Sequence, residues 1–263
     1  REIQRLALNE NMDEAIGRLF NYLEAKNIAK DTFIIYMADN GAFQRFSSLK
    51  GGKGTLSEGG IRVPLIISGP QVADSHRGRI SHSRAFVKDL APTILALAGT
   101  HHPGTQYKGK AIEASTGKNL LPVIAAQTDS VYTDEDVIAY EIGGNAALIK
   151  GDYKITLNRG GTNDGRWHLY NITEDPGETE PLETVETIVF FDLLAEYETY
   201  ARENGVIPVP KNYYQPAQIL RNGLTARFKN SVGSPTGQLI TLILGAVIIL
   251  LMTRKLTRRS LTA

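Results

Sequence analysis

The sequence contains no cysteine. That absence excludes a disulfide scaffold, a thiolate nucleophile and metal sites built on Cys ligands. Acidic residues are missing from the end of the chain: none of the 28 Asp and Glu lies beyond Glu203. The 25 glycines follow no collagen period, and an apolar content of 42% is too high for a disordered chain. No basic stripe runs through the body, so no nucleic-acid partner is expected. Instead, Arg254, Lys255, Arg258 and Arg259 cluster in the last ten residues. At 263 residues the chain is long enough for one to two domains with a real core. It begins with Arg rather than Met, and a helical pattern starts almost at once, so it reads as the C-terminal piece of a longer protein.

The hydrophobic pattern divides the chain. Met12, Ile16, Leu19, Phe20 and Leu23 share one face of a 3.6-residue period and predict a helix over 11–26, with Asn9 or Asn11 as its cap. Residues 32–38 form a short, continuous apolar run, which predicts a strand buried on both faces. Residues 61–68, broken by Pro64, predict a second strand. A helix over 91–98 follows, with Asp89 as capping candidate and Gly99 as its stop. Helices and buried strands in alternation indicate a layered α/β domain over 1–130. Beyond it, 137–142, 146–149, 153–157 and 167–172 are strand-like runs separated by Gly, Asn and Asp turns. They predict an antiparallel meander, and its apolar face is the expected seat of a helix over 185–203. That unit spans 131–205. The isolated prolines Pro208, Pro210, Pro216 and Pro235 predict an extended linker over 206–236.

No charged residue occurs from Asn230 to Thr253, and the basic cluster follows directly. A helix over 237–253 would be ~25 Å long, slightly less than a ~30 Å hydrocarbon core. Snorkelling Arg and Lys can accommodate that difference. A single membrane-spanning helix is therefore expected at 237–253, with 254–263 as a basic cytoplasmic tail and the body on the extracytoplasmic side.

Two segments carry candidate chemistry. Ala38-Asp39-Asn40-Gly41 ends the first strand, where ligands bind in open α/β sheets. A carboxylate beside a carboxamide offers adjacent oxygen ligands to a hard cation. Leu49-Lys50-Gly51-Gly52-Lys53-Gly54 follows, and then Glu58-Gly59-Gly60-Ile61-Arg62-Val63-Pro64. Glycines let backbone approach a ligand closely, and a Lys among them supplies a point charge for an anion. The spacing of a phosphate-binding P-loop is absent.

Taken in order, these motifs resemble the sulfatase family of the alkaline phosphatase superfamily. Asp89-Leu90-Ala91-Pro92-Thr93 through Gly99, Ala147-Leu148-Ile149-Lys150-Gly151-Asp152-Tyr153-Lys154 and Trp167-His168-Leu169-Tyr170 through Asp175-Pro176-Gly177-Glu178 extend the resemblance over about 10–207, and the last two look most like bacterial arylsulfatases. The resemblance implies the C-terminal part of an alkaline-phosphatase-like α/β sandwich, followed by a small antiparallel sheet with one packed helix. It implies calcium-assisted hydrolysis of a sulfate ester, the substrate being a small molecule or a glycan. Asp39 and Asn40 fall where the family places two ligands of its Ca²⁺, preferred here over Mg²⁺. Lys53 falls where the family places a sulfate-contacting lysine, and Lys50 is a second candidate. Glu58, Arg62, Pro64 and the 175–178 turn read as scaffolding. The family's nucleophile is a formylglycine made in a Cys/Ser-x-Pro-x-Arg motif. The one Ser-x-Pro here, Ser68-Gly69-Pro70, is followed by Gln71-Val72 and does not match. The nucleophile is therefore expected upstream of this chain, and the chain alone is expected to be inactive. Two other functions fit the same residues: a phosphonate or phosphodiester hydrolase of the superfamily, and a membrane-tethered binding protein that has lost the nucleophile.

Overall fold

A computed structural model describes residues 2–41, 48–160 and 163–233. The first half is a loose α/β layer. Helix α1 (Glu2–Ala25) leads through a 3₁₀ turn to strand β1 (Ile34–Met37). A single helical turn, α2 (Glu58–Ile61), precedes β2 (Leu65–Ser68). The two strands pair antiparallel, with Ile34 opposite Ser68 and Met37 opposite Leu65.

Helix α1 is already running at Asn9 and Asn11, so neither residue caps it. Of its expected apolar face Leu23 is buried, while Met12, Leu19 and Phe20 are exposed. Strand β1 is also only partly covered. Its residues are half-buried or exposed, not enclosed on both faces as the apolar run suggests. Among the described residues β2 is its one hydrogen-bonded neighbour.

Helix α3 (Leu90–Leu97) stops at Gly99, as expected. Asp89 takes the N-cap position, but its side chain makes no capping hydrogen bond. Its buried carboxylate instead accepts hydrogen bonds from the Phe86 and Lys118 amides and the Tyr132 hydroxyl, at 2.7–2.8 Å. Those bonds tie α3 to the connection that leads into the second unit. Burial and the Asp89 carboxylate together push the Tyr132 hydroxyl pKa well up. On the way lie a two-residue hairpin, β3 (Gln106–Tyr107) with β4 (Lys110–Ala111), and the short α4 (Leu121–Ile124).

The second unit is the expected meander. Strands β5 (Val137–Ile142), β6 (Asn145–Lys150), β7 (Tyr153–Gly160) and β8 (Asn163–Asn171) pair antiparallel in sequence order. Helix α5 (Thr187–Glu203) covers one face. Side chains alternate across a strand, and the alternation separates two cores. Leu148, Ile155 and Leu169 point towards α5 and meet Leu193. Ile138, Ile149 and Tyr170 point the other way and meet Ile61, Phe86 and Tyr132. The sheet is thus the middle layer, with the glycine-rich stretch before β2 lying on its second face.

The stretch expected to be an extended linker over 206–236 is partly helical: α6 spans Gln215–Gly233, with Pro216 in its first turn, where the missing N–H costs nothing. The residues ahead of it are seated on the sheet end. Arg159 Nη1 donates to the Lys211 carbonyl at 2.8 Å, and a Cβ on Gly160 would lie 2.1 Å from the Tyr214 ring. Among the described residues no helix is long and apolar enough to cross a membrane. The expected spanning helix at 237–253 and tail at 254–263 lie outside the described residues.

Candidate active site

Asp39 and Asn40 leave β1 at its C-terminal end. The chain is held there by two backbone bonds: Ala38 N–H to the Pro64 carbonyl at 3.4 Å, and Gly41 N–H to the Gly60 carbonyl at 2.9 Å. The second bond demands glycine. A Cβ at Gly41 would lie 1.8 Å from the Gly59 carbonyl oxygen. Asp39 is exposed and Asn40 half-buried. Among the described residues neither side chain has a hydrogen-bond or ion-pair partner, so their oxygens are available to a ligand.

Lys53 sits at the tip of a tight turn. The Thr55 hydroxyl donates to the Gly52 carbonyl at 2.8 Å and accepts from the Gly52 amide at 3.1 Å. Gly54 carries the turn through a left-handed conformation, φ +88°. The Lys53 side chain is exposed. This turn packs onto Gly60, whose added Cβ would lie 2.6 Å from the Gly52 carbonyl oxygen. Gly59 N–H donates to the Lys50 carbonyl at 2.8 Å. The strand end bearing Asp39 and the turn bearing Lys53 therefore meet on one hub, Gly59–Gly60, and both expected elements are brought together.

Lys50 is not a second anion contact. Its ammonium is turned inward, donating to the Tyr170 hydroxyl at 2.8 Å and the Glu178 carbonyl at 3.2 Å. It also lies over the Tyr170 ring. Burial raises the Tyr170 hydroxyl pKa, and the Lys50 charge opposes that rise.

Beneath the hub the loop rests on polar groups of β7. Asn158 accepts from the Leu56 amide at 2.9 Å and donates to the Ser57 hydroxyl at 3.1 Å. Lys154, fully buried, lies 2.8 Å from Glu58 and 2.9 Å from Glu178. Glu178 also accepts from the Glu58 amide at 2.9 Å. At the far end of the sheet, Asn145 donates to the Gly54 carbonyl at 3.3 Å. Glu58 and Glu178 are thus scaffolding, as the sequence suggests. Lys154 and Asn158 are supporting residues that the motifs alone do not reveal. The available signal is a Lys-x-Thr-x-Asn alternation in β7, whose polar residues face the loop rather than solvent.

No group of three or more His, Cys, Asp or Glu among the described residues could hold a metal ion. Asp39 and Asn40 supply two hard oxygen donors where Ca²⁺ takes 6–8. Their chemistry and exposure fit part of a cation shell that other ligands must complete. A cavity of about 670 Å³ lined by Arg79, His82, Arg84, Asp134 and Asp152 opens elsewhere, beside Gly151, and includes neither Asp39 nor Lys53.

Comparison with known proteins shows what the chain is similar to. Residues 4–100 match the sulfatase family model. An uncharacterized sulfatase of Schizosaccharomyces pombe is 28% identical over 249 residues, covering 79% of this chain and 44% of the relative. N-acetylgalactosamine-6-sulfatase of Canis lupus familiaris is 30% identical over 151 residues, covering 54% of this chain and 27% of the relative. Among solved structures, Ps i-CgsB superposes with a TM-score of 0.62 at 25% identity, covering 84% of this chain and 48% of that one. A phosphonate monoester hydrolase of Agrobacterium radiobacter shares the fold with a TM-score of 0.54 at 20% identity, covering 73% and 39%. The chain spans less than half the length of each of these relatives. With the matched motifs, the shared mixed α/β fold and these relatives in view, the chain is similar to sulfatases, and its residues 4–100 match the sulfatase family model.

Proposed function

We propose that the protein carrying this chain hydrolyses a sulfate ester of a small molecule or glycan, and that the Gly59–Gly60 hub assembles part of its active site. The observation that supports this reading is the convergence of two unlike groups on the hub. Asp39 and Asn40 at the strand end and Lys53 in the turn have no side-chain partners among the described residues, and the backbones of both segments pack on the hub. An anionic ester needs both: oxygen ligands for a cation that neutralises its charge, and a fixed positive side chain to orient it. Asp39 and Asn40 would hold Ca²⁺, in preference to Mg²⁺, and the bound cation would offset charge on the sulfate oxygens. Lys53 would donate to the sulfate group. Its rigid turn holds the point of attachment so that little positioning remains to be done on binding.

The substrate class follows the relatives. One solved relative, at 25% identity and TM-score 0.56, is in complex with its substrate D-glucosamine-2-N,6-O-disulfate. The chain contains no residue matching the formylglycine site, so the nucleophile comes from outside it and residues 1–263 alone turn over no substrate. The segment 237–253 anchors the protein in a membrane, with the body on the extracytoplasmic side.

The shared fold with a phosphonate monoester hydrolase makes that reaction the second reading, because sulfate and phosphonate esters are both tetrahedral anions. Turnover of 4-nitrophenyl sulfate and of a phenyl phosphonate ester by the full-length protein tests both readings. The proposal predicts faster sulfate release, loss of it in Asp39→Ala, and loss on calcium chelation with recovery on re-addition. Faster phosphonate turnover, or activity indifferent to chelation, overturns it. Deleting 237–263 is expected to release the protein from membranes, and an unchanged membrane fraction refutes the anchor.

A further inference from the structure

Lys154 is a buried charge that no step of the proposed chemistry uses. Its side chain is 0% exposed and its ammonium is shared by two carboxylates, Glu58 at 2.8 Å and Glu178 at 2.9 Å. It stands in a row of otherwise apolar or aromatic side chains, paired across the sheet with Ile149 and Tyr170. An apolar side chain of similar volume, with neutral partners, would fill this space without desolvating three charges, and such replacements often stabilise a protein. Stability alone is therefore a poor account of the trio.

Its connections suggest another role. Glu58 is the residue before Gly59 and Gly60, on which both halves of the candidate site rest. Arg62, at 3.7 Å from Glu58, bounds the same turn. Glu178 adopts a left-handed backbone, φ +52°, unusual for a residue with a side chain, and its own carboxylate accepts the Glu58 amide. Strain of this kind persists where surrounding contacts over-determine a conformation, and it concentrates at functional sites. Charge-assisted hydrogen bonds are shorter and more directional than neutral ones. Two such bonds, Lys154 to Glu58 and the Glu58 amide to Glu178, together with the Lys154–Glu178 ion pair, fix the hub's height above the sheet and its position along β7.

We propose that Lys154 is the positioning residue of this site. It holds Glu58, and through Gly59–Gly60 it sets the placement of the Asp39–Asn40 strand end relative to the Lys53 turn. The inference rests on the sulfatase reading for its catalytic consequence, but not for its structural one. The test accordingly has two arms. In residues 1–263, hydrogen exchange is compared between wild type, Lys154→Met, and the neutral triple variant Lys154→Met with Glu58→Gln and Glu178→Gln. The triple variant removes the unpaired carboxylates that could unfold the single one. Exchange at the Gly41, Gly59 and Gly60 amides is expected to rise tenfold or more in the triple variant, while the amides of Leu148 and Ile155, whose side chains face α5, keep wild-type protection. In the full-length protein, the triple variant is expected to lower kcat for a sulfate ester about 100-fold and to change KM less than threefold, because misplacement by an ångström affects the transition state more than binding. Unchanged exchange at the hub, or wild-type kcat in a stably folded triple variant, overturns the proposal. If wild type itself hydrolyses no sulfate ester, the sulfatase reading fails and the exchange arm still decides whether Lys154 positions the hub.

Discussion

Replacing Gly41 by alanine isolates the contact that joins the two halves of the site. Gly41 needs no left-handed backbone, so the substitution acts through space alone. The new Cβ would lie 1.8 Å from the Gly59 carbonyl oxygen and 2.7 Å from its carbon. The obstacle is backbone, which has no rotamer to turn away. Either the strand end or the hub must move by more than an ångström, and the 2.9 Å bond from Gly41 to Gly60 is lost with the shift. Overpacking costs about 1–3 kcal/mol, and a backbone-on-backbone clash belongs near the upper figure, ~3 kcal/mol. Gly54→Ala is the control. It meets nothing within 4 Å but carries φ +88°, so it should cost ~1 kcal/mol from backbone strain alone. Urea denaturation of residues 1–263 followed by circular dichroism gives both values. Gly41→Ala within about 0.5 kcal/mol of wild type, the range of an ordinary surface substitution, would refute the close approach and with it the shared hub.

Other outcomes follow from the same contacts. Asn158→Leu leaves the buried Leu56 amide without its 2.9 Å acceptor and should destabilise by ~2 kcal/mol in the same assay. Lys50→Met should cost more stability than Lys53→Ala, because Lys50 holds Tyr170 and the Glu178 carbonyl whereas Lys53 is exposed; the reverse order in thermal melts would contradict the inward turn of Lys50. Asp136 accepts from the Lys118 ammonium at 2.6 Å and from Thr133, which lowers its carboxyl pKa to about 2. A depressed carboxyl contributes stability above its unfolded pKa and loses it as pH falls through the folded one. Wild type should therefore lose its advantage over Asp136→Asn between about pH 4 and 2, by ~1 kcal/mol after solvent screening at this partly exposed pair. An advantage that does not change over that range would contradict the pairing.

Local patterns were sufficient where partners are near in sequence. The meander is written in glycine turns and period-2 alternation, and α5 follows it closely enough to cover the face its apolar residues define. Asp39, Asn40 and Lys53 are weak local signals, an ordinary turn and a basic loop when taken alone; the ordered resemblance to sulfatases singles them out, and the structure brings both segments onto Gly59–Gly60. What lies beneath them is not local. Lys154 finds Glu58 across 96 residues, and Glu178 finds the Glu58 amide across 120, separations that no periodicity encodes. Lys50 and Lys53 are both neighbours of glycine, and the Tyr170 hydroxyl on β8 and the Glu178 carbonyl, both distant in sequence, separate them. Prolines misled over 206–236. Pro216 enters a helix at its first turn, and Tyr213 and Tyr214 seat the preceding residues on the glycine turns of the sheet. Strand β1 has an interior composition, but enclosure depends on neighbours that composition does not name.

The most direct test of the central claim is the rate of 4-nitrophenyl sulfate hydrolysis by the full-length protein carrying Lys53→Ala. Lys53 is exposed and has no structural partner among the described residues, so folding should be untouched and the melting temperature unchanged. The account predicts a fall in kcat/KM of about 100- to 1000-fold, the scale for removing one preorganised donor to a developing anion. Wild-type kcat/KM in a normally folded Lys53→Ala protein would contradict it.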